Sequence, residues 1–536
     1  MKKMIRKWMA LVLVMTMLLS LAACGGEEAA GTVLRVCLGG AHESLDPVDT
    51  VSDDNATILY HLYENLLRQK SEGVGEVTLN YAVCSAYTEV DNYDGTMTYR
   101  FAISPTAKWS DGKAVTAEDF VYSWRRLLMT EGENRELLSM IQGYEEALAS
   151  GDAEKLAVSV TEDGMLQVIL SYHCPYFLTA VCAGAATMPV RQDVVERSGE
   201  RFGMTAESLV TNGAYVLEQW EKNEGLYLVR NPAADSARGA DRLQFIFEQS
   251  REAAYERFSA GELDYIAYLP DEAVEKLKQN AEWAATPAGM TEAILFNRSE
   301  AFDDFSLRKI FTLAADVDTM EERLLPADQI ATGLVPYGIR ESDGDDFRTV
   351  GGALLDLQAV EYNTRCEEAK TLLRQRTTIP SEVELIYIVD ETRQEQAEAL
   401  WAGWQDRLGI RVVLTALTEE EMAQRLAADD YDMAWLTVRA LCADGSVFLE
   451  SGSSGLEEAI AEDDVEYSRL MSVLRGALDP LARDNYLHAA EKMTFEEYSM
   501  LPLIFKGTTQ TRRDGVRGVG YDGLGRYLFH EVSFAK

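Results

Sequence analysis

The pattern of apolar and polar positions changes its period along the chain. Residues 97–103 alternate apolar side chains with smaller or polar ones, which predicts a half-buried strand. Thr116 and Asp119 then stand at capping-box spacing, with Asp where Glu is usual, and open a predicted helix. Its apolar side chains between Phe120 and Leu128 share one face. This stripe predicts a helix packed against a core and not a cofactor site.

The second half of the chain alternates strands with helices. Strands are predicted at 383–389, 410–417 and 431–438, and helices at 392–408 and 419–428. This order is typical of a largely parallel sheet with right-handed crossovers. Because ligands of such sheets bind beyond the carboxyl ends of the strands, Asp390 and the loop from Cys442 to Asp444 are candidate contacts.

The first 23 residues have the parts of a secretory signal. Four basic side chains precede an apolar stretch at 8–23 that is shorter than the roughly 20 residues a membrane-spanning helix needs. Leu21-Ala-Ala-Cys24 resembles the lipobox of bacterial lipoproteins, which implies cleavage before Cys24 and acylation of its thiol. The alternative is an ordinary signal peptide with a coincidental cysteine. Residues 24–32 then form a lipidated, flexible linker.

Removal of the signal makes an acidic chain more acidic. The 50 basic side chains fall to 46 against 89 acidic ones, so the mature net charge is −43. Such a surface repels phosphate backbones and anionic headgroups, which argues against a nucleic-acid partner and leaves the lipid as the only membrane contact. The 513 residues left of 536 are too many for one core and predict two or three domains.

Catalytic and metal-binding patterns are sparse. The sequence has neither a G-x-S-x-G nor a G-x-x-x-x-G-K-[ST] motif, and its five histidines lack metal-ligand spacing. We therefore predict no enzyme, no metal and no cofactor. The pairs Asp53-Asp54 and Asp303-Asp304 are interpreted as solvated, as expected in so acidic a chain.

Beyond Cys24, six scattered cysteines favour buried thiols, although disulfide pairing stays open: Cys37, Cys84, Cys174, Cys182, Cys366 and Cys442.

An ordered series of motifs spans roughly 450 residues. The most specific are Lys108-Trp-Ser-Asp-Gly-Lys113 and Thr116-Ala-Glu-Asp-Phe-Val-Tyr-Ser-Trp-Arg-Arg126. Others are Ser44-Leu-Asp-Pro47, Tyr63-Glu-Asn-Leu66, Thr211-Asn-Gly-Ala-Tyr215, Arg230-Asn-Pro232, Gly261-Glu-Leu-Asp264, Gly333-Leu-Val-Pro336 and Leu501-Pro-Leu-Ile504. Together they resemble bacterial extracellular solute-binding proteins of family 5, the oligopeptide- and dipeptide-binding lipoproteins of ABC importers.

The resemblance implies an α/β chain with the type II periplasmic-binding-protein fold, in which two hinged lobes accompany a third, smaller domain. Lobe I is expected from residues 33–60, 191–296 and 500–536, the extra domain from 61–190, and lobe II from 297–499. The implied protein is a monomer held outside the cytoplasmic membrane, at the cell surface or in the periplasm. It closes on a peptide and docks on the permease subunits of an ABC importer.

The resemblance also implies ligand contacts. In peptide-binding members an Asp of a "CADY" loop holds the peptide's α-ammonium, and Cys442-Ala-Asp444 matches that loop. Asp444 is therefore the leading candidate, and the alternative is a turn residue before Gly445. His42 and Glu43 lie in a segment expected to border the cleft.

Pocket motifs match the family less well than scaffold motifs do. Leu441 and Gly445 replace the Trp and Tyr that flank the loop, and Glu292-Ala-Ile294 replaces aromatic residues. An unusual peptide, a nickel complex, haem or an oligosaccharide is therefore an open alternative as ligand. A sensor lipoprotein on the same fold is a second alternative, and the absent motifs make a secreted hydrolase improbable.

Overall fold

The structure is a computed structural model that describes residues 31–535 except 41, 51, 74–75, 235–238, 278–282, 299–300, 441, 450–464 and 523. The predicted signal and Cys24 lie outside the described residues. Within them, no helix is long and apolar enough to span a membrane. The six cysteines that the structure describes carry buried thiols, as the sequence favours.

The strands are numbered in chain order. They are β1 Val33–Gly39, β2 Leu67–Gly73, β3 Glu76–Tyr81, β4 Cys84–Asp91, β5 Met97–Ile103, β6 Val158–Val160, β7 Leu166–Leu170, β8 Tyr215–Glu221, β9 Gly225–Arg230, β10 Arg242–Phe247, β11 Tyr265–Ala267, β12 Trp283–Phe296, β13 Gln329–Ile330, β14 Glu382–Ile388, β15 Arg411–Leu417, β16 Met433–Arg439, β17 Met500–Arg512, β18 Val516–Arg517, β19 Gly520–Tyr521, β20 Tyr527–Leu528 and β21 Ser533–Phe534.

The α-helices are numbered in the same way. They are α1 Asp53–Leu62, α2 Ala117–Leu128, α3 Tyr144–Ser150, α4 Phe177–Ala180, α5 Gln192–Ser198, α6 Arg251–Ala260, α7 Asp271–Leu277, α8 Phe305–Leu313, α9 Val317–Glu321, α10 Phe347–Gly351, α11 Tyr362–Gln375, α12 Glu391–Leu408, α13 Glu419–Ala427, α14 Val465–Arg475 and α15 Pro480–Glu496.

The predicted strand–helix alternation is confirmed in β14, α12, β15, α13 and β16. Strand β14 pairs in parallel with both β15 and β16, as the sequence predicts. Gly409 ends α12 in the left-handed conformation, with φ of 68°. Strand β16 begins two residues later than predicted. The Glu384 backbone N–H donates to the Asp432 carboxylate at this point, where regular strand pairing would use a backbone carbonyl as the acceptor.

One large sheet runs through the molecule in the order β15-β14-β16-β12-β17-β11-β1-β10-β9-β8, with β13 also paired to β17. It contains two parallel sets of strands. The first parallel set is β10, β1 and β11, and the second is β15, β14 and β16. The antiparallel strands β12 and β17 lie between the two sets and join them.

Strands β12 and β17 belong to both parts of the sheet. Residues 283–287 of β12 pair with 507–511, beside the first set, and residues 291–295 pair with 500–505, beside the second. Between these stretches the register shifts at Pro287–Thr291, where Gly289 has a φ of 63°. Because β12 and β17 are antiparallel, the two parallel sets run in opposite senses, and their carboxyl ends face each other across this break.

The most specific sequence motif packs beside a four-stranded sheet of β4, β5, β7 and β6, and its buried aromatic residues share a hydrophobic core with β1. Asp119 completes the capping box with Thr116 and accepts a hydrogen bond from the Trp109 indole at 3.2 Å. Arg126, at the other end of α2, donates to the buried Asp46 carboxylate at 2.8 Å. The motif is thus a scaffold that ties α2 to the segment after β1. The domain boundaries expected from the resemblance stay a prediction.

Candidate ligand cleft

The two facing sets of carboxyl ends define what we call the candidate cleft. On the side of the first set, β1 ends at Gly39 and β11 at Ala267. On the side of the second set, β16 ends at Arg439 and β14 at Ile388. Parallel strands present loops and helix N-termini at their carboxyl ends, so polar groups from both halves meet there.

An ion pair joins the two sides of the candidate cleft. Arg439 Nη2 lies 2.6 Å from Asp53 Oδ1, at the start of α1. Arg526 Nε is 3.4 Å from the same oxygen, and its Nη1 is 3.2 Å from the Tyr60 hydroxyl. Asp53 is buried, so these two guanidinium groups replace its lost hydration. The interpretation of Asp53 as a solvated carboxylate is therefore wrong.

The neighbouring carboxyl group of Asp54 is half-buried and has a different environment. Its Oδ1 accepts a hydrogen bond from the Tyr268 hydroxyl at 3.0 Å. Burial raises the pKa of Asp54 to about 8, and the negative charge of Asp53 adds to that shift, whereas Tyr268 and Arg439 oppose it. A carboxyl group with this pKa is mostly protonated at pH 7 when no ligand is present.

Asp444, the leading candidate from the sequence, already has a cationic partner. Arg483 Nη1 and Nη2 donate to its two oxygens at 3.0 and 2.8 Å. Asp444 also caps the short helix Gly445–Phe448 by accepting from Ser446 N at 2.9 Å. Burial acts to raise the pKa of Asp444, but Arg483 and the Ser446 bonds lower it below its ordinary value. An ammonium acceptor at Asp444 stays a prediction, and this geometry also suits the alternative of a structural turn residue.

The other candidates lie at the carboxyl ends but in separate contact groups. The half-buried His42 ring packs edge-on against Phe247, with ring centres 5.6 Å apart. Burial lowers the pKa of His42 to about 4, so the ring is neutral at neutral pH. Glu43 is exposed. Asp390 caps α12 by accepting from the Arg393 backbone N at 2.9 Å. Ligand contacts by His42 and Glu43 stay predictions.

Glu292, at a position where the resemblance implies an aromatic residue, is a buried structural acid. Its Oε1 lies 3.1 Å from Arg393 Nη2, and its Oε2 accepts from the Trp435 indole at 3.0 Å. Lys506 Nζ is 3.9 Å away. These contacts connect β12 to α12 and β16 at the end of the register break, so Glu292 stabilises the second parallel set near the cleft.

Sequence reasoning missed Asp53 and Asp54 because adjacent acids are abundant in this chain. Their position carried a usable signal: they follow Ser52, an N-cap residue, and directly open α1, after the segment expected to border the cleft.

Within the described part of the chain, no group of three or more His, Cys, Asp or Glu side chains could hold a metal ion.

The pattern for bacterial extracellular solute-binding proteins, family 5 (middle region), matches residues 85–457. The chain belongs to this family. One relative is the probable deoxycholate-binding periplasmic protein of Escherichia coli (strain K12), which is 25% identical over 508 residues, 92% of this chain and 91% of the relative. The oligopeptide-binding protein of Bacillus subtilis (strain 168) is 22% identical over 557 residues, 99% of each chain.

Solved structures show the fold of this family 5 protein. The Escherichia coli murein tripeptide binding protein superposes with a TM-score of 0.77 and 23% identity, over 95% of this chain and 99% of that one. The type II periplasmic-binding-protein fold predicted from the sequence is thereby confirmed. The expectation of an extracytoplasmic solute-binding receptor is confirmed at the level of the family.

Proposed function

We propose that this chain captures peptides in the candidate cleft and delivers them to the permease subunits of an ABC importer. The observation that carries the proposal is the facing of two sets of carboxyl ends across one break in a shared sheet. A ligand placed there contacts both halves at once, so its binding favours the closed arrangement. Relatives whose names specify oligopeptides and a murein tripeptide support peptides as the class.

The proposed mechanism is closure about the register break. Residues 287–291 are the place where β12 leaves the ladder of one half and enters that of the other. Rotation there changes few hydrogen bonds, whereas rotation elsewhere would break a continuous ladder. The Asp53–Arg439 pair forms only when the two sides meet, so it contributes to the closed state. The proposed activity is binding and release without chemical turnover.

The proposed attachment is a lipid on Cys24, with residues 25–32 as the spacer. Cys24→Ser would leave the folded body unchanged and release it from the membrane fraction. Labelling of the wild-type chain, but not of the variant, with a radioactive fatty acid would support the anchor. An unlabelled wild-type chain would contradict it. The body is proposed to act as a monomer, with lobes and extra domain divided as expected above.

Peptide binding is tested with protein purified without denaturation. Native mass spectrometry would detect co-purified peptides, and a mixed tri- to pentapeptide library would raise the melting temperature. Chromatography of the peptides after incubation would show them uncut, as expected of a receptor. If neither co-purified peptides nor a thermal shift were found, the peptide proposal would be rejected.

A bile acid is the second candidate, because one relative is named for deoxycholate. Deoxycholate is an apolar steroid with a carboxylate, so it would need a cation that is not already paired. Arg439 and Arg483 both hold carboxylates in this structure. We therefore expect deoxycholate below its micellar concentration to give a smaller thermal shift than the peptide library. The reverse order would favour the steroid.

A further inference from the structure

The charged side chains around the Asp53–Arg439 pair do not balance. Among the residues that the structure describes, three carboxyl groups, those of Asp53, Asp54 and Asp522, lie with two guanidinium groups, those of Arg439 and Arg526. Asp53 forms ion pairs with both guanidinium groups, and Asp522 forms a second ion pair with Arg526. If all three carboxyl groups were ionised, one negative charge would be left over in a site partly removed from water, where an unpaired charge is costly.

Asp54 is the acid without a cationic partner. Among the described residues it forms no ion pair within 4 Å and accepts one hydrogen bond, from Tyr268. A carboxylate can accept about four hydrogen bonds, so most of its capacity is unused. A second acceptor nearby, Asp522 Oδ2 on a buried side chain, lies 3.5 Å from Arg526 Nε and accepts no hydrogen bond from the residues described.

Two backbone segments, at Gly39 and at Tyr268, lie close to the Asp54 carboxyl group. A Cβ on Gly39 would lie 3.0 Å from Asp54 Oδ2, and φ there is +147°, so the carboxyl end of β1 approaches this oxygen closely. Tyr268, just past the carboxyl end of β11, has a φ of 58°, which is uncommon for a bulky residue. The carboxyl ends of β1 and β11 thus converge on one carboxyl group, which also feels the charge of Arg439 at the end of β16.

We infer that Asp54 is the residue in the candidate cleft that selects a cationic nitrogen group of the ligand, either the α-ammonium of a peptide or a lysine side chain. The inference deepens the proposed function and rests on it for the peptide class. Asp444 is less suited to this role, because its two oxygens already bind Arg483 and its negative charge is neutralised. Among the described residues Asp54 has no such ion pair, so a cation of the ligand can stabilise its carboxylate form.

Ligand binding is then linked to proton release. The groups that face Asp54 are Asp53 and Arg439, the Tyr268 and Tyr527 hydroxyls, and the Cys37 thiol. Without a ligand they leave the carboxyl group protonated below pH 8, whereas a bound cation requires the carboxylate. The proton passes to the buffer. The affinity for a cationic ligand therefore rises with pH up to about 8.

The test uses four tripeptides in a two-by-two design. The central residue is lysine or its uncharged analogue norleucine, and the amino terminus is free or acetylated, so the two cations are removed separately. Affinities are measured by calorimetry for the wild-type mature chain, Asp54→Asn, Asp444→Asn and the exposed control Asp303→Asn. For one of the two cationic groups, the wild-type chain should bind the peptide that carries the group about 10- to 100-fold more tightly than the peptide that lacks it. Asp54→Asn should abolish that preference and leave affinity for the cation-free peptide unchanged.

Two results would overturn the inference. Asp54→Asn could weaken all four peptides equally, which would make Asp54 a structural residue. The preference could also survive in Asp54→Asn and disappear in Asp444→Asn, which would place the cation at Asp444. Calorimetry at pH 6.5 in buffers of different ionisation enthalpy gives an independent readout. Wild type should release about one proton on binding the preferred cation, and Asp54→Asn should release none.

A probe smaller than a peptide separates this inference from the proposed function. Propylammonium carries the cation alone, and propionate is its matched anion. Propylammonium should raise the melting temperature of wild type but not of Asp54→Asn, and propionate should raise neither. If no peptide binds while propylammonium behaves in this way, the peptide proposal fails and the cation site stands. If propylammonium fails to distinguish the two proteins and the peptides show no preference, the cation site is rejected.

Discussion

Asp54 and Asp444 are carboxyl groups on opposite sides of the candidate cleft, and they differ in whether a guanidinium group pairs with them. Asp444 has Arg483 within 3.0 Å of both oxygens, and its pKa is lowered despite burial. Asp54 has a tyrosine hydroxyl in place of a guanidinium, and burial raises its pKa to about 8. A compensated acid stabilises the fold, whereas an uncompensated acid destabilises the empty protein and is available to a ligand.

The largest effect is expected from removing the compensation at Asp444. Arg483→Met leaves a buried carboxylate without its cation, which should cost about 3–5 kcal/mol of unfolding free energy. Chemical denaturation of the mature chain measures it. The double variant with Asp444→Leu should recover part of the loss, because no charge then stays buried. A cost below about 1 kcal/mol for Arg483→Met would show that solvent reaches the pair and compensates it.

The stability that the Asp444–Arg483 pair contributes should also depend on pH. Because its folded pKa is lowered, the Asp444–Arg483 pair contributes stability above the unfolded pKa of about 3.9, and that contribution is lost as pH falls through the folded pKa. Wild type should exceed Asp444→Asn by about 1–3 kcal/mol at pH 7, and the difference should shrink as the pH falls below the unfolded pKa of about 3.9. Denaturant titrations at several pH values measure the difference. A gap that stays constant with pH would remove the electrostatic explanation.

The pH dependence of stability at Asp54 should have the opposite sign. The folded pKa of Asp54, about 8, lies above its unfolded value, so the folded state binds an extra proton between these values and stability falls as pH rises. Asp54→Asn should therefore melt about 2 °C or more above wild type at pH 8.5, with a smaller gap at pH 5. Asp303→Asn, at an exposed position, should show no such trend. Equal melting temperatures at both pH values would contradict the raised pKa of Asp54.

The smallest effect is expected at the bridge between the two sides. Arg439 is 30% exposed as a side chain, so its pair with Asp53 should favour closure by only about 0.5–1 kcal/mol. Arg439→Gln should increase the average radius of gyration of the unliganded protein slightly, as measured by small-angle X-ray scattering. Arg469→Gln, which breaks an exposed pair with Glu466, is the control. A decrease in the radius would contradict a closing role for the bridge.

Local sequence patterns predicted much of the fold. The capping box at Thr116, the end of α12 at Gly409 and the alternation of strands and helices in the second half are all present. Such features depend on contacts within a few residues, so periodicity and capping chemistry suffice to place them. The ordered motifs also indicated the family, because scaffold contacts such as Arg126–Asp46 require particular side chains.

Which acids are solvated and which are buried was decided by the tertiary structure alone. Asp53 and Asp54 look like any adjacent acids of this chain, and their environment is made by Arg439, Arg526 and Tyr268, more than 200 residues away. Likewise, Asp444 fits a binding motif, but the cation beside it comes from α15. The sequence determined which charged groups exist and where the helices and strands begin. The pairing of charges depends on distances that only the folded chain sets, because the electrostatic energy of a buried group is governed by its neighbours in space.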